Sequence, residues 1–158
     1  MSFRPLPLPA DVAGRLWLHA MPGRRESWPD FLTLARAAGL TRIVCLTPWV
    51  EVERGAPAYA EAIERHALPC RWQALPMADF GLHDDARAFA DGVRALAESL
   101  RGGESVLLHC AHGIGRTGTV AACVLKALGA DTDAALHTVQ RAGSNPQSAL
   151  QSGWVDAF

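Results

Sequence analysis

His109-Cys110-Ala111-His112-Gly113-Ile114-Gly115-Arg116-Thr117-Gly118 is the stretch whose reading decides the fold. Before it comes Ser105-Val106-Leu107-Leu108, which reads as a short buried strand; after it comes an apolar helical segment from Thr119 to Leu128. A cysteine therefore sits where a strand ends, with a glycine-rich loop above it and a helix beginning on its far side. A free cysteine has a pKa near ~8.5 and is a poor nucleophile at neutral pH unless its thiolate is stabilised. A helix N-terminus offers that stabilisation through unpaired N–H groups and its dipole, and the same donors cradle an anion. Gly113, Gly115 and Gly118 let the backbone approach such an anion closely. Arg116 adds a planar fork that takes two oxygens at once.

Residue for residue, this run resembles the HCxxGxxR(S/T)G signature of cysteine-dependent protein phosphatases, with its nearest likeness in the small atypical dual-specificity group. The resemblance implies that Cys110 attacks phosphorus, Arg116 binds the phosphoryl group and Thr117 helps the cysteine leave in the second step. It places Ala111, His112, Gly113, Ile114 and Gly115, with Arg116, around the phosphate, and makes His109 a shaper of the loop through hydrogen bonding. A buried cysteine in an ordinary strand–helix turn is the plainer alternative, against which the cysteine-to-arginine spacing and three glycines argue. The absence of GK(S/T) excludes a Walker-type loop. No cofactor and no metal are expected, because Arg116 and the backbone donors neutralise the transferring charge.

Outward from the loop, strands alternate with helices. Arg15 to His19, Ile43 to Leu46 and Arg71 to Leu75 read as strands, the second apolar throughout and so buried on both faces. A helix capped by Ser27, with Pro29 in its first turn, is expected to run to Gly39. Tyr59 to Ala67 is a weaker helical candidate, and Asp84 to Arg101 is the clearest amphipath, with Phe89, Val93, Leu96 and Leu100 at helical spacing. Asp131 or Thr132 starts a further helix, Gly143 to Pro146 breaks the chain, and Ser148 to Phe158 reads as a last helix anchored by Trp154 and Phe158. This pattern predicts an α/β fold, a central mostly parallel sheet with helices on both faces, in one domain over residues 1–158. Such sheets bind ligands beyond the carboxyl ends of their strands, where Cys110 would lie.

Breaking a phosphate ester also requires a proton for the departing oxygen. Leu75-Pro76-Met77-Ala78-Asp79-Phe80-Gly81 follows a strand and resembles the acid loop of small dual-specificity phosphatases, which makes Asp79 the candidate acid. Asp84 and Asp85 compete, although acidic residues at a helix start are ordinarily stabilised by its dipole. Gln151 and Gln147 are candidates for a glutamine that relatives place near the attacking water; neither spacing matches cleanly, and Gln151 is preferred. Arg141-Ala142-Gly143-Ser144 resembles the family's RPG(S/A) turn with alanine in place of proline, so Arg141 is a candidate brace behind the loop or a plain helix-end arginine. Pro48 to Pro57 reads as a rim loop, with Trp49 either a ring contact or a core residue. Cys45 and Cys123 read as buried thiols, with a resolving role toward Cys110 as the alternative.

A net charge of −1 over 158 residues advertises no track for nucleic acid or anionic membrane. The N-terminal stretch, broken by Pro5, Pro7 and Pro9, has no apolar run suited to a signal peptide. The four cysteines form no zinc spacing, and a reducing cytoplasm fits them. The expected activity is hydrolysis of phosphotyrosine, with phosphoserine and phosphothreonine as further candidates, on a phosphorylated protein or peptide by a monomer. His112 keeps an RNA 5′-triphosphatase-like activity open; phosphoinositides are the other anionic alternative, disfavoured by the absence of lysine from the loop. A phosphatase fold that binds without turnover is the rival from another class.

Overall fold

The computed structural model describes residues 2–158, so of the expected domain Met1 lies outside the described residues. Five strands, β1 (Arg4–Leu6), β2 (Arg15–His19), β3 (Arg42–Cys45), β4 (Arg71–Ala74) and β5 (Ser105–His109), form one sheet in the order β1-β2-β5-β3-β4. The pairs β2–β5, β5–β3 and β3–β4 are parallel, and β1 joins antiparallel at the edge. The α/β architecture with a mostly parallel sheet is as the sequence predicts. β1 was not foreseen, because Pro5 and Pro7 hide it; Pro5 is tolerated opposite Trp17 since an edge strand can spare a donor.

The helices are α1 (Trp28–Ala37), α2 (Trp49–Gly55), α3 (Pro57–Glu64), α4 (Ala86–Arg101), α5 (Gly115–Ala127), α6 (Thr132–Arg141) and α7 (Ala149–Ala157). Alternation along the strands splits the core into two layers. Leu16, Leu18, Val44, Val106 and Leu108 meet α4 to α7, while Ile43, Cys45 and Leu107 meet α1 to α3. The α4 stripe of Phe89, Val93, Leu96 and Leu100 is buried as its spacing predicts, each side chain contributing about 1.5–3 kcal/mol of burial. Ser27 caps α1 through Asp30 N–H, and Asp131 caps α6 through Ala134 N–H.

Three expectations change. The rim loop over Pro48 to Pro57 is instead helix α2 followed by the start of α3, with Val52 buried beneath it. Two turns are too short to show a helical period in the sequence. Trp49 lies edge-on to Trp72, their ring centroids 6.5 Å apart, as a packing residue. Helix α5 starts at Gly115 rather than near Thr119, because tertiary packing overrides the glycines: Arg116 and Thr117 are already buried in its first turn. In α7, Val155 and Gln151 are fully buried, while Trp154 and Phe158 are partly covered. Among the described residues no helix is long and apolar enough to cross a membrane.

Register aligns the functional edge. His19 and Cys45 both stand level with His109, and Cys45 with Ala74. The segments that follow β2, β3, β4 and β5 therefore emerge together at one rim of the sheet.

Candidate active site

β5 is buried along its whole length and delivers Cys110, 3 % exposed, to that rim. Ala111, His112, Gly113, Ile114 and Gly115 form the arc from Cys110 to Arg116. The Cys110 Sγ accepts from the Gly113 N–H at 3.2 Å and from the Thr117 hydroxyl at 3.0 Å. Ile114 occupies the N-cap of α5 and offers no side-chain acceptor, so the donors of the first turn are left to face the loop. Gly113 is required twice over. Its φ is +76°, and a Cβ there would come 2.6 Å from the His19 carbonyl oxygen. At Gly118 a Cβ would meet the Asn145 backbone nitrogen at 2.5 Å, so α5 and the 143–146 segment touch backbone to backbone.

Arg116 is 2 % exposed in the first turn of α5. Its two terminal nitrogens donate to the two carboxylate oxygens of Glu51, each at 2.9 Å, and one also donates to the Met77 carbonyl at 3.1 Å. Burial opposes the charge, but the bonds and charge of Glu51, with help from Cys110 and Asp79, hold the guanidinium pKa above its ordinary value. Asp79 lies just past β4, with a carboxylate oxygen 3.5 Å from Arg116 and 3.1 Å from the Phe80 N–H. Its side chain is 58 % exposed, so it stands at the mouth of the site. Asp85 instead caps α4, accepting from the Arg87 and Ala88 N–H groups, and Asp84 is exposed beside it.

His109 is fully buried, and a chain of hydrogen bonds assigns its tautomer. The Trp72 indole N–H donates to the Tyr59 oxygen at 2.9 Å. Tyr59 then gives its own proton to His109 Nε2 at 2.8 Å, leaving Nδ1–H to donate to the Cys110 carbonyl at 3.1 Å. Burial pushes the His109 pKa down to about 4, so the ring stays neutral at physiological pH.

Behind the loop the brace is Arg4 of β1, not Arg141, which is exposed. The Arg4 guanidinium donates to the carbonyls of Gly113 and Ala142 and to the Ser144 hydroxyl, and Ser144 itself donates to Gly113 at 2.6 Å. Gln151 is fully buried with both ends of its amide committed: Oε1 accepts from Gln147 N–H at 2.8 Å, and Nε2 donates to the Gly81 carbonyl at 3.1 Å. It ties α7 to the end of the Asp79 loop. The Gln147 side chain lies against Gly115, its Oε1 2.4 Å from where a Cβ on that residue would sit.

The family model described as "PTP-SAK: Swiss Army Knife protein, DSP-PTPase phosphatase domain" matches residues 15–152, most of the chain. The chain belongs to this family. It is an atypical dual-specificity phosphatase of the cysteine-dependent superfamily, which supports phosphatase activity in general terms. No curated protein matches it significantly. Kinase-associated phosphatase, solved with its catalytic-site cysteine replaced by serine, is 20 % identical, with a TM-score of 0.84 over 100 % of this chain and 93 % of that one. A human tyrosine phosphatase-like serine/threonine/tyrosine-interacting protein is 23 % identical, with a TM-score of 0.67 over 90 % and 89 %. PTPMT1 in complex with PI(5)P is 16 % identical, with a TM-score of 0.69 over 90 % and 88 %. At these identities the likeness shows the fold.

Within this phosphatase domain the remaining thiols lie outside the cysteine loop. All four cysteines are free. Burial raises the Cys45 pKa and pushes Cys123 up to about 12 and Cys70 to about 11. Cys45 packs in the layer under α1 to α3, while Cys110 belongs to the opposite one. Sequence reasoning missed Glu51, Arg4, Tyr59 and Trp72. Glu51 carried a positional signal, since it follows the carboxyl end of a strand read as parallel. Arg4 carried none, because its strand was hidden by prolines.

Proposed function

We propose that this single catalytic domain hydrolyses phosphotyrosine in proteins or peptides, with phosphoserine and phosphothreonine as secondary substrates, through a cysteinyl-phosphate intermediate. The observation that carries the reading is the convergence on the Cys110 Sγ of the Gly113 N–H and the Thr117 hydroxyl, at the open head of α5 and beside Arg116. Those donors favour a thiolate, and the loop N–H groups with Arg116 favour a phosphoryl group in front of it.

In the first step the thiolate forms an S–P bond, the ester P–O bond breaks, and the protonated Asp79 carboxyl gives its proton to the leaving oxygen. In the second step Asp79, now a carboxylate, takes a proton from water as that water attacks phosphorus. The S–P bond breaks, and the returning thiolate is received by the Thr117 hydroxyl. Gln147, lying on Gly115, is better placed than Gln151 to orient that water, since the Gln151 amide is committed to backbone groups. Helix α2 contributes through Glu51, whose carboxylate fixes the position of the Arg116 guanidinium beside the loop. A monomer acting in a reducing compartment such as the cytoplasm suits an unpaired nucleophilic thiol.

The test is turnover of an aryl phosphate and a panel of phosphotyrosine, phosphoserine, phosphothreonine, phosphoinositide and RNA 5′-triphosphate substrates. Vanadate-sensitive, chelator-insensitive hydrolysis that favours phosphotyrosine and is lost in Cys110→Ser supports the reading. A metal requirement, or binding without any turnover, contradicts it.

A further inference from the structure

The carbonyls of the cysteine loop are held from outside it. The Met21 N–H donates to the Ala111 carbonyl at 3.2 Å, and the Gly118 and Asn145 N–H groups donate to the Ile114 carbonyl at 2.8 and 3.1 Å. The Gly113 carbonyl is held by side chains instead, the Ser144 hydroxyl at 2.6 Å and one terminal nitrogen of Arg4. The other terminal nitrogen of Arg4 donates to the Ala142 carbonyl at 2.8 Å and to the Ser144 oxygen at 3.0 Å. One guanidinium thus joins β1, the turn after α6 and the loop. Gly143 leaves room for it, since a Cβ there would lie 2.8 Å from that second nitrogen. Arg4 takes part in none of the ion pairs among the described residues, so its donors are committed to this clamp.

The C=O and N–H of a trans peptide point in opposite directions. Turning the Gly113 carbonyl back toward Arg4 therefore turns the Ile114 N–H forward, into the loop. Among the described residues no protein group accepts from that N–H. Gly113 has φ +76° and no side chain to resist rotation, so this plane is the easiest in the loop to turn over. Turned over, it would present a carbonyl oxygen to an anion where a donor is needed. We propose that Arg4 is a positioning residue for phosphoryl transfer: with Ser144 it locks the Gly113–Ile114 peptide plane so that the Ile114 N–H binds a phosphate oxygen. The proposal rests on the phosphatase reading above. Arg4 acts through the Gly113 carbonyl and does not itself touch the phosphate undergoing transfer. Its charge strengthens both its direct bond and the one that runs through the Ser144 hydroxyl. The loop is therefore completed by the N-terminal strand, while Arg141, in the turn that resembles the family's, is exposed.

The experiment records backbone amide spectra of wild type, Arg4→Ala and Arg141→Ala with and without vanadate, beside steady-state kinetics. In wild type and Arg141→Ala the Ile114 amide proton is expected to move downfield as it bonds to a vanadate oxygen. In Arg4→Ala that shift is expected to vanish, and kcat/KM for an aryl phosphate to fall about tenfold to a hundredfold, as for a lost charged hydrogen bond. Arg4 lines an open cavity of about 330 Å³, so a small cation can reach its place in Arg4→Ala. Ethylguanidinium is expected to restore both the shift and the rate, and methylammonium, a point charge without the fork, neither. An Ile114 amide that ignores vanadate in wild type, or responds equally in Arg4→Ala, overturns the proposal. Equal rescue by methylammonium overturns the clamp by reducing Arg4 to a bare charge. If Arg4→Ala does not fold, Ser144→Ala replaces it, and an Ile114 response and rate like those of wild type overturn the proposal. If wild type binds vanadate but hydrolyses no phosphate ester, the phosphatase reading fails separately, and the Ile114 response still decides the role of Arg4.

Discussion

Glu51 holds Arg116 in a fork-to-fork ion pair, with both carboxylate oxygens 2.9 Å from the terminal guanidinium nitrogens. One partner comes from α2 and the other from the first turn of α5, so the pair fixes the arginine to which the proposed reaction assigns phosphate binding. Glu51→Gln keeps the shape and removes the charge. It is expected to lower kcat/KM for an aryl phosphate by roughly tenfold to a hundredfold, in line with the loss of charged hydrogen bonds. Steady-state kinetics check this, with a melting curve to separate misfolding from mispositioning. Wild-type kinetics in the variant would remove Glu51 from the account.

The Thr117 hydroxyl donates to the Cys110 sulfur at 3.0 Å from a fully buried position. Thr117→Val is nearly isosteric and removes that donor. If the hydroxyl serves the returning thiolate, breakdown of the intermediate slows about tenfold to a hundredfold while its formation is spared. A stopped-flow trace should then show a burst of released phenol ahead of a slow steady state. A uniform slowing without a burst would move Thr117 to the first step.

Asp79→Asn tests the acid. Substrates with poor leaving groups are expected to slow by ~10²–10⁴, the usual contribution of a positioned acid, and those with good leaving groups far less. Equal slowing across a series of aryl phosphates would assign the proton to another group, with Asp84 the first to examine because Asp85 is committed to capping α4.

Stability should carry the signature of a buried neutral imidazole. Burial pushes the His109 pKa down to about 4 from its ordinary value of 6.5, so the unfolded chain binds the proton more readily than the folded one. The stability this group contributes is intact above about pH 6.5 and is lost as pH falls toward about 4. The full loss is about 3 kcal/mol at order-of-magnitude level. His19, also lowered chiefly by burial, adds in the same direction. Urea denaturation at several pH values should show this decline, and His109→Gln should flatten it. An unchanged slope in His109→Gln would assign the decline to His19.

What could be read from sequence, and what could not, follows from where the information resides. The run from His109 to Gly118 is local chemistry, with nucleophile, glycines and arginine at fixed spacing, so the loop was legible together with its strand and helix. The position of Asp79 was legible because its loop follows a strand whose end had to lie at the same rim. Glu51 follows β3 to that rim as well, but no local motif marked it, and Arg4 was hidden because its place arises from sheet order, β1 folding back beside β2. The glutamines show the same limit. Gln147 precedes α7 and Gln151 lies within it, and only the packing of α7 decides that Gln151 is spent on Gly81 and Gln147 N–H.

The central claim is that phosphate passes through Cys110. Rapid acid quench of the enzyme during turnover of an aryl phosphate, followed by mass mapping, tests it most directly. The account predicts a phosphoryl group on the peptide containing Cys110, enriched in Thr117→Val and absent, together with turnover, in Cys110→Ser. Sustained turnover in Cys110→Ser, or a phosphoryl group mapped to any other residue, would contradict it.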